Sequence, residues 1–162
     1  MRQACELIDD RTLRSVQLWA QVAELSQYQA ARTVMAFASM ASEPETDGLF
    51  ARLERDGKAL VLPRIVGERI EPALVGEGTK AAVWGISEPL GAAVDPATID
   101  LIIVPGVAFT ITGGRLGHGK AYYDGFLPST RAFTVGACFH EQLVDELPIE
   151  PHDVLLDLVI AA

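Results

Sequence analysis

Short runs that are apolar at nearly every position alternate along this chain with stretches of mixed polarity. A strand with one face in water alternates between polar and apolar residues, so continuous runs indicate strands that are buried on both faces. On this basis we predict strands over Thr33–Met40, Ala59–Pro63, Ile70–Val75, Asp100–Pro105, Thr134–Cys138 and Val154–Ile160.

The stretches between these runs contain the predicted helices. The first, about Leu7–Leu25, has apolar residues at helical spacing, and Asp9 or Asp10 is placed to cap its start. Its predicted inward stripe consists of Leu13, Val16, Ala20 and Ala23, widened by Leu18, Val22 and Leu25. Further helices are expected over Thr46–Arg55, which ends at Gly57, over Lys120–Leu127 and over Gln142–Leu147.

The alternation of buried strands with helices indicates an α/β fold with a mainly parallel sheet. We predict a single domain over residues 1–162, with a three-layer, Rossmann-like arrangement and helices on both faces of the sheet. Ligands of such sheets bind beyond the carboxyl ends of the strands. Three segments are expected at that edge: Ser39–Thr46, Pro105–Asp124 and His140–Gln142.

The composition narrows the possible functions. The 162 residues are 49% hydrophobic, and 13 basic against 22 acidic side chains give a formal net charge of −9. Non-specific nucleic-acid binding requires a basic face, which this balance disfavours. Two cysteines are too few for a disulfide framework, and no signal peptide or membrane-length apolar run is recognised. We expect a cytoplasmic protein without nucleic-acid or membrane partners, a monomer with a dimer as the alternative.

A glycine-rich loop is predicted over Gly106–Gly119, between one predicted strand and the predicted helix Lys120–Leu127. Its most informative part is the stretch Gly113–Asp124, which runs into that helix. Gly117 and Gly119 would let backbone N–H groups approach an anion, and Arg115 and Lys120 would add positive charge. The spacing matches neither the Walker A pattern nor the dinucleotide-binding glycine pattern. The pattern alone leaves two interpretations open, a phosphate site and a glycine-rich turn with surface charges.

Three acidic residues are candidates to bind a metal ion or a substrate. Asp124 lies one helical turn past Lys120 and Asp153 precedes the last strand, so both are candidates to bind an Mg²⁺ that also takes phosphate oxygens. The alternatives are a helix-dipole aspartate and a turn residue. Glu43, after the first strand, is placed to pair with ring N–H donors, or it is a solvated turn charge. Aromatic side chains that would form a wall for a heterocycle, or pack in the core, are Trp84, Phe109, Tyr122, Tyr123 and Phe139.

The segments Asp100–Phe109, Arg115–Asp124 and Phe126–Leu127 form a compound motif. Outlying segments extend it over most of the chain: Tyr28–Arg32, Ser42–Thr46, Gly57–Pro63, Trp84–Pro89, Gln142–Pro148 and His152–Asp153. Together they resemble the signature of the 5-formyltetrahydrofolate cyclo-ligase family, also called methenyltetrahydrofolate synthetases.

The resemblance implies ATP- and Mg²⁺-dependent cyclisation of 5-formyltetrahydrofolate to 5,10-methenyltetrahydrofolate through an iminium phosphate, with release of ADP and phosphate. By position, Asp124 and Asp153 resemble the Mg²⁺ ligands, and Glu43 and Ala38 the folate pocket. The implied catalytic groups are Arg115, Lys120 and Tyr122. The implied ATP-binding residues are Arg115, Leu116, Gly117, His118, Gly119, Lys120, Ala121, Tyr122 and Tyr123. The residues implied to face the folate, besides Glu43 and Ala38, are Trp84, His118, Gly119, Lys120, Ala121 and Tyr122.

Two departures from the family pattern leave alternatives open. Ala121 stands where the family often has a third glycine, and its methyl group would crowd a phosphate or a pterin. The family's K-x-x-L-R helix, whose cations also hold ATP, would lie before Met1, although Leu13 and Arg14 echo it with Asp10 at the lysine position. The chain is then truncated, holds ATP with other groups, or has lost activity.

These departures keep two further functions in competition with the cyclo-ligase. One is a folate- or nucleotide-binding relative without turnover. The other is an enzyme that acts on a different nucleotide-activated substrate, because a fold does not fix a function.

Overall fold

A sheet of six strands forms the centre of the fold in this computed structural model, which describes residues 10–76, 79–81 and 87–162. The strands in chain order are β1 (Thr33–Met35), β2 (Ala59–Val66), β3 (Arg69–Leu74), β4 (Thr79–Ala81), β5 (Ser87–Pro89), β6 (Leu101–Val104), β7 (Ala108–Phe109), β8 (Arg115–Leu116), β9 (Phe133–Cys138) and β10 (Leu158–Ala161).

The central sheet has the order β10-β9-β6-β1-β2-β3, and only β3 runs antiparallel to its neighbour. Val34 of β1 is in register with Leu60 on one side and Leu101 on the other. Two separate antiparallel pairs, β4 with β5 and β7 with β8, lie outside this sheet. The predicted mainly parallel sheet is therefore confirmed.

Helices cover both faces of the sheet. They are α1 (Arg11–Glu24), α2 (Ser26–Ala30), α3 (Asp47–Arg55) and α4 (Tyr122–Phe126), with 3₁₀ turns at Pro96–Thr98, Leu127–Ser129 and His140–Gln142. Successive strand residues point to opposite faces, and Val34 packs with α1 and α3 whereas Met35 packs with Phe126 of α4. Two apolar clusters on opposite sides of one sheet make the three-layer α/β fold that was predicted.

The inward face of α1 differs from the predicted stripe. Leu18 and Val22 are buried as expected, but Leu13 and Val16 are each 57% exposed. The face is rotated because Ser15 turns inward and bonds the loop after β1. The predicted apolar stripe is therefore wrong at Leu13 and Val16. Asp10 precedes the helix without a side-chain cap, and Asp9 lies outside the described residues.

Three predicted strand boundaries differ from those in the structure. The predicted strand Thr33–Met40 ends at Met35, and the N–H of Ala36 makes one more hydrogen bond, to Val61 of β2, before the site loop begins. β2 continues to Val66 because it pairs with β3 in a hairpin. The last strand begins at Leu158, since Leu156 donates its backbone N–H to Gly113 of the glycine-rich loop.

Two of the predicted helices also changed. The helix predicted over Gln142–Leu147 is wrong, because only the 3₁₀ turn His140–Gln142 forms and Val144 N–H then bonds Phe109 O. The helix after the glycine-rich loop begins at Tyr122 and ends at Phe126. In contrast, α3 forms as predicted, with Leu49 and Leu53 fully buried and Gly57 at its end in the left-handed conformation. Among the described residues, no helix is both long enough and apolar enough to cross a membrane.

Candidate active site

The candidate site lies at the carboxyl edge of the sheet, where the strand order changes direction. β1 and β6 are neighbours, and the chain leaves them towards opposite sides of the sheet. Such a reversal marks the position at which sheets of this kind bind ligands. Residues 36–46 follow β1 and residues 105–121 follow β6. Two of the three segments predicted at this edge are thus brought together, and the third, His140–Gln142, follows β9 at the same edge.

Glu43 presents a buried carboxylate in the loop after β1. Its side chain is only 5% exposed, and its Oε2 accepts a hydrogen bond of 2.8 Å from the backbone N–H of Met40. Its Oε1 lies 3.4 Å from Nε2 of His118 in the glycine-rich loop. The interpretation as a solvated turn charge is therefore wrong, because the carboxylate is held inside the loop.

The glycine-rich loop is an ordered turn built on the β7–β8 hairpin. Thr110 fixes its base, because its side-chain oxygen accepts a hydrogen bond of 2.9 Å from the N–H of Gly114. At Gly113 (φ +96°) a Cβ would stand 2.3 Å from the carbonyl oxygen of Leu156, so no larger residue fits there. Beyond the hairpin, His118, Gly119 and Lys120 are exposed. The part of the loop expected to bind phosphate is therefore open to solvent.

Ala121 has φ +50° and ψ +22°, the left-handed conformation, immediately before α4. It is the only described non-glycine residue with positive φ, and alanine adopts this conformation at a cost of about 1 kcal/mol or more. A glycine would adopt it freely. The departure from the family pattern noted in the sequence thus falls on a strained position.

Arg115 and Asp124 form a buried ion pair beneath the loop. Nη2 of Arg115 donates a hydrogen bond of 3.0 Å to Oδ2 of Asp124, and the two side chains are 4% and 16% exposed. The guanidinium carbon of Arg115 also lies 5.5 Å from the centre of the Tyr123 ring, within the range of a cation–π contact. The predicted phosphate cation and the predicted metal ligand are therefore in contact with each other.

Tyr123 is a partly buried side chain whose hydroxyl group is buried in the same place. Burial and the nearby negative charge of Glu43 raise the pKa of the Tyr123 hydroxyl above its usual value, against the opposing effect of Arg115. Within the described part of the chain, the hydroxyl of Tyr123 has no hydrogen-bond partner, and neither does Nε of Arg115. Polar atoms buried without partners are rare, and they are characteristic of sites that bind a ligand.

The second predicted metal ligand, Asp153, lies in the loop before β10. The next residue, Val154, points its N–H at Oδ1 of Asp124 across 3.3 Å, so the two aspartates lie in neighbouring segments. Asp153 itself accepts a hydrogen bond of 2.7 Å from Glu150 N–H. The ligand atoms of Glu150, His152 and Asp153 lie within 4.8 Å of one another.

The remaining predicted residues are placed as follows. Ala38 is partly buried in the segment after β1, and Tyr122 is partly buried in the first turn of α4. Leu116 and Gly117 lie in and after β8, with Leu116 47% exposed. Trp84 lies outside the described residues.

Sequence reasoning missed one residue that supports the loops from below. Gln142 is 2% exposed, and its side chain accepts from Phe139 N–H and donates to Gly106 O, each at 2.9 Å. It therefore links the carboxyl end of β9 to the loop after β6. The local sequence carries no signal for this role, because the contact of Gln142 with Gly106 spans 36 positions.

Known proteins resemble this chain in both sequence and structure. Residues 2–162 match the model of the 5-formyltetrahydrofolate cyclo-ligase family. The 5-formyltetrahydrofolate cyclo-ligase of Mus musculus is 28% identical over 170 residues, which cover 94% of this chain and 84% of the mouse protein. The protein of the same name from Mycolicibacterium smegmatis is 32% identical over 141 residues, covering 80% of this chain and 73% of its own.

The NMR structure of 5,10-methenyltetrahydrofolate synthetase from Aquifex aeolicus superposes with a TM-score of 0.88 at 28% identity, covering 99% of this chain and 84% of that chain. A mainly parallel sheet, with helices on both faces and loops that meet beyond its carboxyl edge, places this chain in the class of open three-layer α/β folds. Within that class, this chain belongs to the 5-formyltetrahydrofolate cyclo-ligase family.

Proposed function

We propose that this protein converts 5-formyltetrahydrofolate to 5,10-methenyltetrahydrofolate with ATP, releasing ADP and phosphate. The observation that carries the proposal is the contact of 3.4 Å between Glu43 and His118. It joins a buried carboxylate, suited to ring N–H donors, to a loop with exposed glycine and lysine, suited to phosphates. The family membership and the names of the relatives support the choice of folate.

The reaction needs activation of a poor leaving group. In the proposed sequence the formamide oxygen attacks the γ-phosphorus of ATP, ADP leaves, and a C–O–P linkage forms on an iminium carbon. N10 then attacks that carbon, its proton is lost, and the C–O bond breaks as phosphate departs. Catalysis of such steps is mainly positioning and charge neutralisation, so no acid–base dyad is required.

The described residues support a division of roles. The Glu43 carboxylate would accept hydrogen bonds from the pterin, with Ala38 and His118 beside it. Lys120 is exposed on the phosphate loop and would neutralise charge on the transferred group. We propose Tyr122, at the start of α4, as a further catalytic group. Arg115 would supply positive charge from its buried position beside Tyr123, alongside Asp124.

We propose that Asp124 and Asp153 would hold an Mg²⁺ ion. Asp124 and Asp153 offer carboxylate oxygens, the ligands that this cation prefers, from adjoining segments of the site. Bound Mg²⁺ would neutralise phosphate charge during the transfer. Arg115 already balances the charge of Asp124 at 3.0 Å and so holds this carboxylate in one orientation.

A second candidate function, binding of folate or nucleotide with little turnover, is favoured by the conformation of Ala121. Ala121 adopts the left-handed conformation at the end of the glycine-rich loop, next to the exposed Lys120. A methyl group in a loop that must approach a phosphate closely would keep the reacting groups apart.

A location in the cytoplasm and a monomeric or dimeric state stay predictions.

The test is a turnover assay with purified protein, 5-formyltetrahydrofolate, ATP and Mg²⁺, following the absorbance of the methenyl product. We expect product to form in proportion to enzyme and to require ATP. No product at high enzyme concentration would overturn the proposal. Calorimetry then separates the alternatives, because folate binding without turnover supports a binding protein, whereas failure of reduced folates to bind points to another substrate.

A further inference from the structure

We propose that α1 holds the loop 39–46 in its binding shape through Arg11, Ser15 and Trp19, which act as positioning residues for Glu43. The three side chains are four residues apart and therefore lie along one face of the helix. None of them belongs to the motifs that carry the family resemblance. The inference rests on the proposed function, because it takes Glu43 as a substrate-binding group.

Arg11 binds the turn that carries Glu43 at both of its ends. Its Nε donates to the carbonyl oxygen of Glu43 and its Nη2 to that of Met40, each at 2.9 Å. Met40 is also the residue whose N–H binds the Glu43 carboxylate. The planar fork of an arginine suits such a double contact, which a single ammonium group does not reproduce. Displacement of Arg11 therefore releases the turn that orients the carboxylate.

Ser15 and Trp19 hold the backbone just beyond Glu43. Oγ of Ser15 accepts the N–H of Glu45 at 2.9 Å, and Nε1 of Trp19 donates to the carbonyl oxygen of Glu45 at 2.6 Å. Both side chains are buried, with exposures of 2% and 3%. Arg11 adds an ion pair of 2.9 Å to the carboxylate of Glu45. The loop is thus fixed on both sides of Glu43 by one helix face.

A helix that only completed the core would place apolar side chains along this face. Here the face is polar where it meets the loop, and its donors and acceptors match backbone groups of residues 40, 43 and 45. Such contacts specify a backbone geometry in addition to excluding water. A displacement of about 1 Å in a substrate-binding group is enough to slow an enzyme strongly, so the geometry of this loop matters for the reaction.

The experiment compares Arg11→Met, Ser15→Ala and Trp19→Phe with wild type. Arg32→Met is the matched control, because Arg32 is exposed at the amino end of β1, away from the site. We expect the first three variants to raise the KM for 5-formyltetrahydrofolate by about tenfold, the size of a lost charge-assisted or buried hydrogen bond, with the KM for ATP changed less than about twofold. Arg11→Lys should recover only part of the loss.

Hydrogen exchange of the free protein gives a second readout that does not require turnover. The amides of Met40 and Glu45 should exchange about tenfold faster in the three variants, while amides of β6 stay at the wild-type rate. Equal increases in both KM values, or exchange rates like those of Arg32→Met, would overturn the inference. Where Arg11→Met fails to fold, Ser15→Ala and Trp19→Phe decide the matter. An inactive wild type with the expected exchange pattern would sink the proposed function alone.

Discussion

Glu43 and His118 are 75 positions apart in the chain, yet Oε1 of Glu43 lies 3.4 Å from Nε2 of His118. The carboxylate is 5% exposed and the imidazole 31% exposed, so the contact joins a buried group to a partly exposed side chain of the glycine-rich loop. A ligand that replaces His118 at this oxygen must therefore lie directly beside the glycine-rich loop. The roles proposed for the carboxylate and for the loop can therefore be tested by separate substitutions at adjoining positions.

Glu43→Gln should damage folate binding selectively. The amide keeps the size of the side chain and one oxygen for Met40 N–H, but it removes the charge that would favour ring N–H donors. We expect the KM for 5-formyltetrahydrofolate to rise by more than about tenfold, because a hydrogen bond to a charged group is worth about 1.5–3 kcal/mol. Steady-state kinetics in both substrates checks this. Glu54→Gln, on the exposed side of α3, is the control, and an equal loss for ATP would contradict the assignment.

Lys120→Ala should show the opposite selectivity. Lys120 is exposed on the glycine-rich loop, and under the proposed function its loss would remove a charge-assisted contact with phosphate worth about 1.5–3 kcal/mol. We expect the affinity for ATP to fall by about tenfold or more, while folate affinity changes little. Calorimetric titration with each ligand measures the two effects separately. Arg131→Ala, an exposed cation before β9, should leave both unchanged, and a parallel loss of both affinities in Lys120→Ala would indicate a folding defect.

Segments whose own composition decides their structure were predictable from the sequence. Leu101–Val104 is buried at every position, as predicted for a short apolar run that forms an inner strand. The glycines predicted a loop after it, but not the β7–β8 hairpin that this loop contains. The register of α1 was not predictable, because Ser15 faces inward through a bond to Glu45, which is 30 residues away. Local apolar counting carries no signal for such a long-range polar contact.

The sequence predicted which segments come together at the candidate site, but not which side chains contact each other there. Parallel strands end at one edge, so the meeting of the loops after β1 and β6 follows from the strand assignments. The pairing of Arg115 with Asp124 did not follow, since both were assigned to ligands. Burial decides this case, because a guanidinium that is 4% exposed needs an opposite charge within the protein.

Removing one member of that pair should be costly to stability. Arg115→Met leaves the buried carboxylate of Asp124 without its cation, and we expect the free energy of unfolding to fall by about 3 kcal/mol. Chemical denaturation at pH 7 measures the change. The double variant Arg115→Met with Asp124→Asn should lose less than the sum of the single variants. Additive losses would show that the two groups do not interact.

Ala121→Gly should stabilise the protein, because the residue has φ +50°. Relief of the left-handed strain is worth about 1–2 kcal/mol, and the greater freedom of glycine in the unfolded chain offsets about 0.4–1 kcal/mol of it. We expect a net gain of about 0.5–1 kcal/mol and a higher turnover number, since the methyl group beside the phosphate loop is removed. Ala20→Gly, at an exposed position within α1, should instead destabilise by about 0.5–1 kcal/mol. Destabilisation by both changes would contradict the strain argument.

The link between α1 and the end of β9 should show a defined pH dependence. Hydrogen bonds of 2.8 and 2.7 Å from Arg14 hold the pKa of the Glu141 carboxyl below the ordinary glutamate value of 4.5. A pKa that is lower in the folded state means that the carboxylate stabilises the fold above about pH 4.5. This stabilisation is lost as the pH falls through the folded-state pKa.

Glu141→Gln should therefore reduce the free energy of unfolding at pH 7, but by less than about 1 kcal/mol, because the Glu141 side chain is 43% exposed and the pair is screened by solvent. The difference from wild type should shrink as the pH is lowered below 4.5, where wild-type Glu141 also becomes neutral. Urea denaturation across this pH range measures both curves. Glu146→Gln, an exposed acid in the same loop region, serves as the control. A deficit that stays constant or grows towards low pH would show that Glu141 acts through packing and not through its charge.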